Sequence, residues 1–405
     1  MAHDPFAPSE YPAEPPPVTA LMLTGGGARA AYQVGVLEAI ADLRKTCGAH
    51  NEANPFPIIG GTSAGAVNAS ALACGCDDFD RTVRLIANVW RNFHVKDVYH
   101  SDSVSMLRSG ASWVTLLSAG WLIAKWRRLK PKSLLDNSPL AELLKNLVPL
   151  QRLPDLIQKG HLQALAVTAS SYSSGEHFTF FQGHEQLKPW VRSQRCGRRD
   201  DITHQHLLAS SAIPFIFPAM ALQIDGQTAY FGDGSMRQIS PLSPALHLGA
   251  QKVFAVGVGQ PERAGFARHV ADAPVREPAL GNIAGHAMAS VFHDTLRADV
   301  EQTHRVTQTL RQLPREAASV LPFRRVDVLA IQPTQSLDAL AQEHVGELPA
   351  PTRNALGGLG ILKGGGGTLA SYLLFEPGFV QALIAMGEND AYARKAEVLA
   401  FFSGA

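Results

Sequence analysis

Short apolar runs bounded by Gly, Pro or polar residues recur along the chain and alternate with segments of helical period. The runs near 19–23, 56–60, 163–169, 177–182, 221–231, 252–258 and 326–332 have the length and residue content of strands. Several are apolar throughout, as strands covered on both faces are. Between them, apolar positions three and four apart predict helices near 30–44, 64–74, 79–93, 138–147 and 241–248. This alternation predicts a three-layer α/β/α fold with a mostly parallel central sheet. Past 262 the pattern changes. A loop is expected over Arg263–Pro278, then helices near 280–312, the last strand, and helices near 366–402, with interruptions at Gly357-Gly358 and Gly364–Gly367. The chain therefore divides into a Pro-rich leader over 1–18, an α/β domain over 19–262 with a cap or insert around 95–135, and a mainly helical C-terminal extension over 263–405.

Three glycine-rich segments stand at the ends of predicted strands. Gly61-Thr62-Ser63-Ala64-Gly65 follows the apolar run Phe56–Ile59 and leads into the small-residue stretch Ala64–Leu72. A buried strand turning sharply into a helix holds such a serine in a strained conformation, and glycines at Gly61 and Gly65 remove the Cβ groups that would clash. The segment reads as a nucleophile elbow. Upstream, Leu21–Thr24 runs into Gly25-Gly26-Gly27-Ala28-Arg29-Ala30 and then a helix. Consecutive glycines let backbone N–H groups converge at a helix N-terminus, where one preorganised donor contributes about 2.7–4 kcal/mol to a developing oxyanion. Gly25, Gly27 and Ala30 also satisfy a dinucleotide-binding pattern, but the following strand ends in the serine elbow where that fingerprint needs an acidic residue. The third segment, Tyr230-Phe231-Gly232-Asp233-Gly234-Ser235, ends an expected hairpin and sets a carboxylate between glycines, with a plain Asp-Gly turn as the other reading.

Together the three segments resemble the patatin-like phospholipase family, whose pattern is a Gly-Gly-Gly-x-Arg oxyanion loop, a Gly-x-Ser-x-Gly elbow and an Asp-Gly-Gly/Ala segment. The likeness spans about residues 19–260, including Ser133–Leu140, Ala209–Pro218 and Val253–Gly259, and continues more weakly through Ser371–Phe375. Ala30 and Ser235 depart from it, standing where the family usually has glycine and Gly or Ala. The resemblance implies a serine–aspartate dyad in which Ser63 attacks an ester and Asp233 takes its proton. It also implies that the backbone of Gly25, Gly26 and Gly27 holds the oxyanion, with Arg29 shaping that loop. It implies a lipid acyl hydrolase of phospholipase or lysophospholipase type with no metal or organic cofactor. Two alternatives stay open. One is a Ser-His-Asp carboxylesterase or thioesterase drawing on His247, His269, His286, His293 or His304. The other is a catalytically inactive relative that binds lipid or phosphate.

Composition narrows the partners. With 405 residues, 46% hydrophobic and 18% charged, the chain can bury a sizeable core. Lys and Arg total 36 against 35 Asp and Glu, so no global charge draws it to nucleic acid. Met1–Pro17 has neither a basic n-region nor an apolar h-region and reads as a disordered leader, not a signal peptide. Cys47, Cys74, Cys76 and Cys196 form no dense disulfide pattern, which suits a reducing cytoplasm. His204 and His206 diverge on one helix, and no metal motif occurs. Ala111–Ala124, at 14 residues, is shorter than the roughly 20 needed to span a bilayer. Trp113, Trp121 and Trp126 border Lys125, Arg127, Arg128, Lys130 and Lys132, so this segment is expected to cap the active site or lie at the inner membrane surface. The basic run Arg192–Arg199 is expected as a solvated loop, and the C-terminal helices as a cover for the sheet or a homo-oligomer surface.

Overall fold

Each central strand carries apolar side chains in both directions, and each direction is buried under its own layer. In β1 (Thr19–Leu23), Leu21 and Leu23 join one core with Ile59, Val167 and Phe254, whereas Ala20 and Met22 join a second with Ile58, Ala166 and Val253. A strand's two-residue period thus divides the interior into two cores, one on each face. The computed structural model describes residues 17–46, 54–100, 133–261, 295–358 and 367–403. The Trp113–Trp126 segment, the leader to residue 16, Cys47, Arg263–Pro278, His269, His286 and His293 lie outside the described residues.

The remaining strands are β2 (Ile58–Thr62), β3 (Ala164–Ser171), β4 (His177–Gly183), β5 (Trp190–Arg192), β6 (Arg195–Arg199), β7 (Met220–Ile224), β8 (Gln227–Asp233), β9 (Lys252–Val256) and β10 (Asp327–Ile331). Among the described residues they form one sheet in the order β10-β9-β1-β2-β3-β4-β6-β5, with the β7–β8 hairpin attached to β3. The five strands from β10 to β3 are parallel and β4 is antiparallel to β3. On one face lie α1 (Ala31–Thr46), α2 (Ala64–Cys74), α3 (Phe79–Arg91) and the helices Leu337–His344, Gly367–Leu373, Pro377–Ala393 and Lys395–Ser403. On the other, Leu242 at the N-cap of the helix Ser243–His247, Ala245 within it and Leu296 of the helix Leu296–Gln312 cover the sheet. The fold is three-layered, with a mostly parallel sheet.

Two expectations change. The basic run Arg192–Arg199 is no solvated loop: β5 and β6 make an edge hairpin that pairs with β4. Its charge fits an edge position. Arg198 forks onto Asp225 at 2.8 and 2.9 Å, and the Arg199 guanidinium lies 5.3 Å from the Phe181 ring centroid. Past 262, the expected strand is β10, parallel to β9, but helices Leu337–His344 and Ala350–Gly358 appear where none was expected. The hairpin expected over 221–231 is formed by β7 and β8, turned at Asp225 and Gly226, both with positive φ. That is the turn a two-residue hairpin prefers.

Candidate active site

β3 is longer than β2, and the overhang brings the serine and the aspartate together. β2 ends with Thr62 opposite Thr168, and at the next β3 residue, Ala169, the partner is Asp233 of β8. Because β4 occupies the other edge of β3 through Ser170, β8 takes up the edge that β2 vacates. One strand step of about 3.3 Å therefore separates the chain entering Ser63 from the carboxylate that ends β8.

Ser63 joins β2 to α2 with φ +55° and ψ −132°, a strained conformation for a residue with a side chain. The turn is closed on every side. A Cβ on Gly61 would run into the Gly65 carbonyl, and one on Gly65 would run into the carbonyls of Leu23 and Thr24. The Ser63 N–H donates to Ser210 Oγ at 2.8 Å, and that buried hydroxyl donates to the Thr168 carbonyl at 2.6 Å. Ser63 Oγ donates to Asp233 Oδ2 at 2.6 Å, while Asp233 Oδ1 accepts the Ser235 N–H at 2.8 Å. Only 3% of Ser63 and 1% of Asp233 is exposed. Burial pushes the Asp233 carboxyl up to about 6, against the opposing hydrogen bonds from Ser63 and Ser235. It is thereby a stronger base than an ordinary carboxylate, yet still largely ionised at neutral pH.

The glycine loop lies against this turn. A Cβ on Gly25 would overlap Ser235 Oγ and come within 2.8 Å of Ser63 Cβ. Gly26 is pressed on Val258, and Gly27, at φ +55°, on the Tyr372 carbonyl. Arg29, grouped with this loop in the sequence, is buried with its guanidinium committed to the C-terminal helices. Nε donates to Ser371 Oγ at 2.7 Å, Nη2 pairs with Asp338 Oδ1 at 2.5 Å, and the group lies 4.3 Å from the Tyr372 ring centroid.

A cavity of about 450 Å³ opens from Ser63. Its floor is one face of α2 (Ala64, Val67, Ala71, Cys74), and its walls include Leu85, Val89 and Trp90 of α3, Leu143 and Leu147 of helix Ser138–Leu147, and Phe375. At 1.5 Å per residue, α2 gives the groove a length of about 16 Å. Asn68 ties the layers behind it, donating to the Ala30 carbonyl at 3.1 Å and accepting Trp90 Nε1–H at 2.8 Å. Ser210, Asn68 and Phe375 carried no sequence signal of their own, although Ser210 and Phe375 fall in stretches singled out for resemblance. His247 stacks on Trp190 with centroids 4.8 Å apart, and His304 Nε2 bonds the Val328 carbonyl at 3.1 Å. Among the described residues no three His, Cys, Asp or Glu side chains gather as a metal site, and no helix is long and apolar enough to cross a membrane.

Residues 21–246 match a family model described as patatin-like phospholipase. No match is found among the curated proteins. Among solved structures the chain is similar to the crystal structure of VipD from Legionella pneumophila, at 15% identity over 92% of this chain and 67% of that one, with a TM-score of 0.33. It is also similar to the type III effector protein ExoU, at 14% identity over 88% and 77% of the two chains, with a TM-score of 0.28. A third is the heterodimeric ExoU–SpcU complex from the type III secretion system of Pseudomonas aeruginosa, at 15% identity over 88% and 68%, with a TM-score of 0.27.

Proposed function

The chain belongs to the patatin-like phospholipase family, and from that premise we propose that it is a lipid acyl hydrolase working through a Ser63–Asp233 dyad. One observation carries the reading: a buried hydroxyl donates to a buried carboxylate at 2.6 Å, at the end of an apolar groove. As Ser63 Oγ bonds to the ester carbon, its proton passes to Asp233 Oδ2 and the carbonyl oxygen becomes an oxyanion facing the N–H groups of Gly25–Gly27. Collapse breaks the bond to the alcohol, which leaves with the proton from Asp233. Water then attacks the acyl-enzyme, Asp233 takes its proton, and the carboxylic acid departs as that proton returns to Ser63 Oγ.

The groove supports an acyl chain as the bound half of the substrate. Each buried methylene is worth about 0.8 kcal/mol, or about fourfold in affinity, so kcat/KM is expected to climb with chain length until the space along α2 is filled. A three-residue Ser-His-Asp machine finds less support, because the carboxylate itself occupies the position next to Ser63 Oγ and both described candidates, His247 and His304, are engaged elsewhere. The test is release of free fatty acid from a panel of phospholipids and lysophospholipids. Ser63→Ala and Asp233→Asn are each expected to lose at least about 10³-fold in turnover, as removal of a nucleophile or its base does. An Asp233→Asn variant as active as the unaltered protein would remove the dyad.

A further inference from the structure

Arg29 carries the side-chain contacts of the glycine loop with the helices beyond residue 246, the end of the family match. A guanidinium that is 2% exposed is costly to bury unless its charge and donors are met. Two C-terminal helices meet them. Asp338 stands in the first turn of Leu337–His344, and Ser371 lies in Gly367–Leu373. Ser371 Oγ accepts from Arg29 Nε and donates to Asp338 Oδ1 at 3.3 Å, which closes a triangle around the cation. The next residue touches the loop twice: the Tyr372 ring lies beneath the guanidinium, and its carbonyl fills the space where Gly27 would carry a Cβ. The Arg29 N–H in turn donates to the Gly26 carbonyl at 3.1 Å. The loop is therefore gripped by side chain and backbone from one distant helix pair.

We propose that Asp338 and Ser371 are positioning residues for ester hydrolysis, acting through Arg29 to hold the Gly25–Gly27 amides in their oxyanion-binding arrangement. The inference rests on the lipid hydrolase reading and adds to it: the C-terminal extension completes the catalytic unit. Neither side chain touches the reacting atoms. Their effect is on how well the amides are preorganised, and a small misplacement of catalytic groups can cost about 100-fold in rate.

The experiment uses the full chain and a short soluble ester, so that filling of the groove does not enter. For Ser63→Ala, Asp338→Asn, Ser371→Ala and the unaltered protein, kcat, KM, the pH profile, the thermal midpoint and the rate of fluorophosphonate labelling are measured. Asp338→Asn is expected to lower kcat about 10- to 100-fold with KM within about threefold, and to slow labelling in parallel, because phosphonylation also builds charge on an oxygen in the hole. Ser371→Ala, which removes one hydroxyl and is the safer variant for folding, is expected to lower both about 3- to 10-fold. The acid limb of the pH profile should stay in place. A Ser371→Ala protein with unchanged kcat and labelling rate overturns the proposal whatever Asp338→Asn does. So does a fall in thermal midpoint alone, or a displaced acid limb, which would put the effect on Asp233. If Ser63→Ala hydrolyses as fast as the unaltered protein, the ester reading itself fails. If Ser63 is required and the two C-terminal residues are not, only this inference falls.

Discussion

The serine turn and the glycine loop are neighbours, but their supports come from different parts of the chain. The turn is held by the sheet and the helices that leave and flank it: Gly61 against Gly65 of α2, Gly65 against Leu23 and Thr24, and the Ser63 N–H on Ser210 of the helix His204–Ser210. The loop is held by side chains 309 and 342 residues further on, through Arg29. Backbone packing inside a sheet gives a nucleophile little freedom to drift. A loop anchored by an ion pair can be loosened without unfolding anything, so the two halves of one site should respond differently to substitution.

With Ser63 and Asp233 both kept, the largest effect is expected from disturbing the turn. In Gly65→Ala the new Cβ meets two carbonyls, neither of which can swing aside, so the elbow must move. Turnover should fall at least about 100-fold, with a clear loss of thermal midpoint measured in the same preparation. Retention of both would mean that the turn is less confined than its contacts indicate. A smaller effect comes from leaving both halves intact and altering only the groove. Ala71→Phe, midway along the floor, should cut kcat/KM for long-chain esters about tenfold while short-chain esters keep theirs within about twofold. Equal losses across a chain-length series would show that acyl chains lie elsewhere.

The smallest effect is on pH dependence and thermal midpoint, and it concerns the carboxylate alone. Asp233 titrates at about 6, raised by burial, so the acid limb of kcat/KM should fall as pH drops through about 6, not near the ordinary 3.8. For stability the sign is opposite to that of a salt-bridged aspartate. The folded protein holds this proton more tightly than the unfolded chain does, so the group's favourable contribution is complete below about 3.8 and is lost as pH rises to about 6. Asp233→Asn should therefore raise the thermal midpoint at pH 7 by a few degrees and flatten its dependence between pH 4 and 6, as calorimetry would read. A midpoint equal to that of the unaltered protein at pH 7 would contradict this.

The same comparison explains which parts were legible in the sequence. The central strands near 19–23, 56–60, 163–169 and 252–258 could be read because parallel strands covered on both faces are apolar runs. The glycine spacing could be read because the backbone leaves room for nothing else. What could not be read depended on distant partners. β2 lies two residues later than the apolar run implied, so that Gly61 and Thr62 finish the strand. The Arg195–Arg199 strand looks like a loop because it is charged, lying next to the edge strand β5, and its other partner β4 lies across a separate turn. Arg29 could be assigned to the loop, but Asp338 and Ser371 are ordinary polar residues on short helices. Ser210 is likewise one serine in a Ser-Ser pair until Ser63 is placed above it.

The overhang of β3 has one more implication. Because Thr62 and Asp233 pair with consecutive residues of β3, Thr168 and Ala169, the backbone offset between the alcohol and the acid is set in whole-residue steps of pairing. A slip of one rung would turn the Asp233 side chain to the opposite face of the sheet. Insertions or deletions elsewhere can reshape the groove and the loops around it, while the backbone register that brings the acid beside the alcohol is inherited from hydrogen-bond spacing.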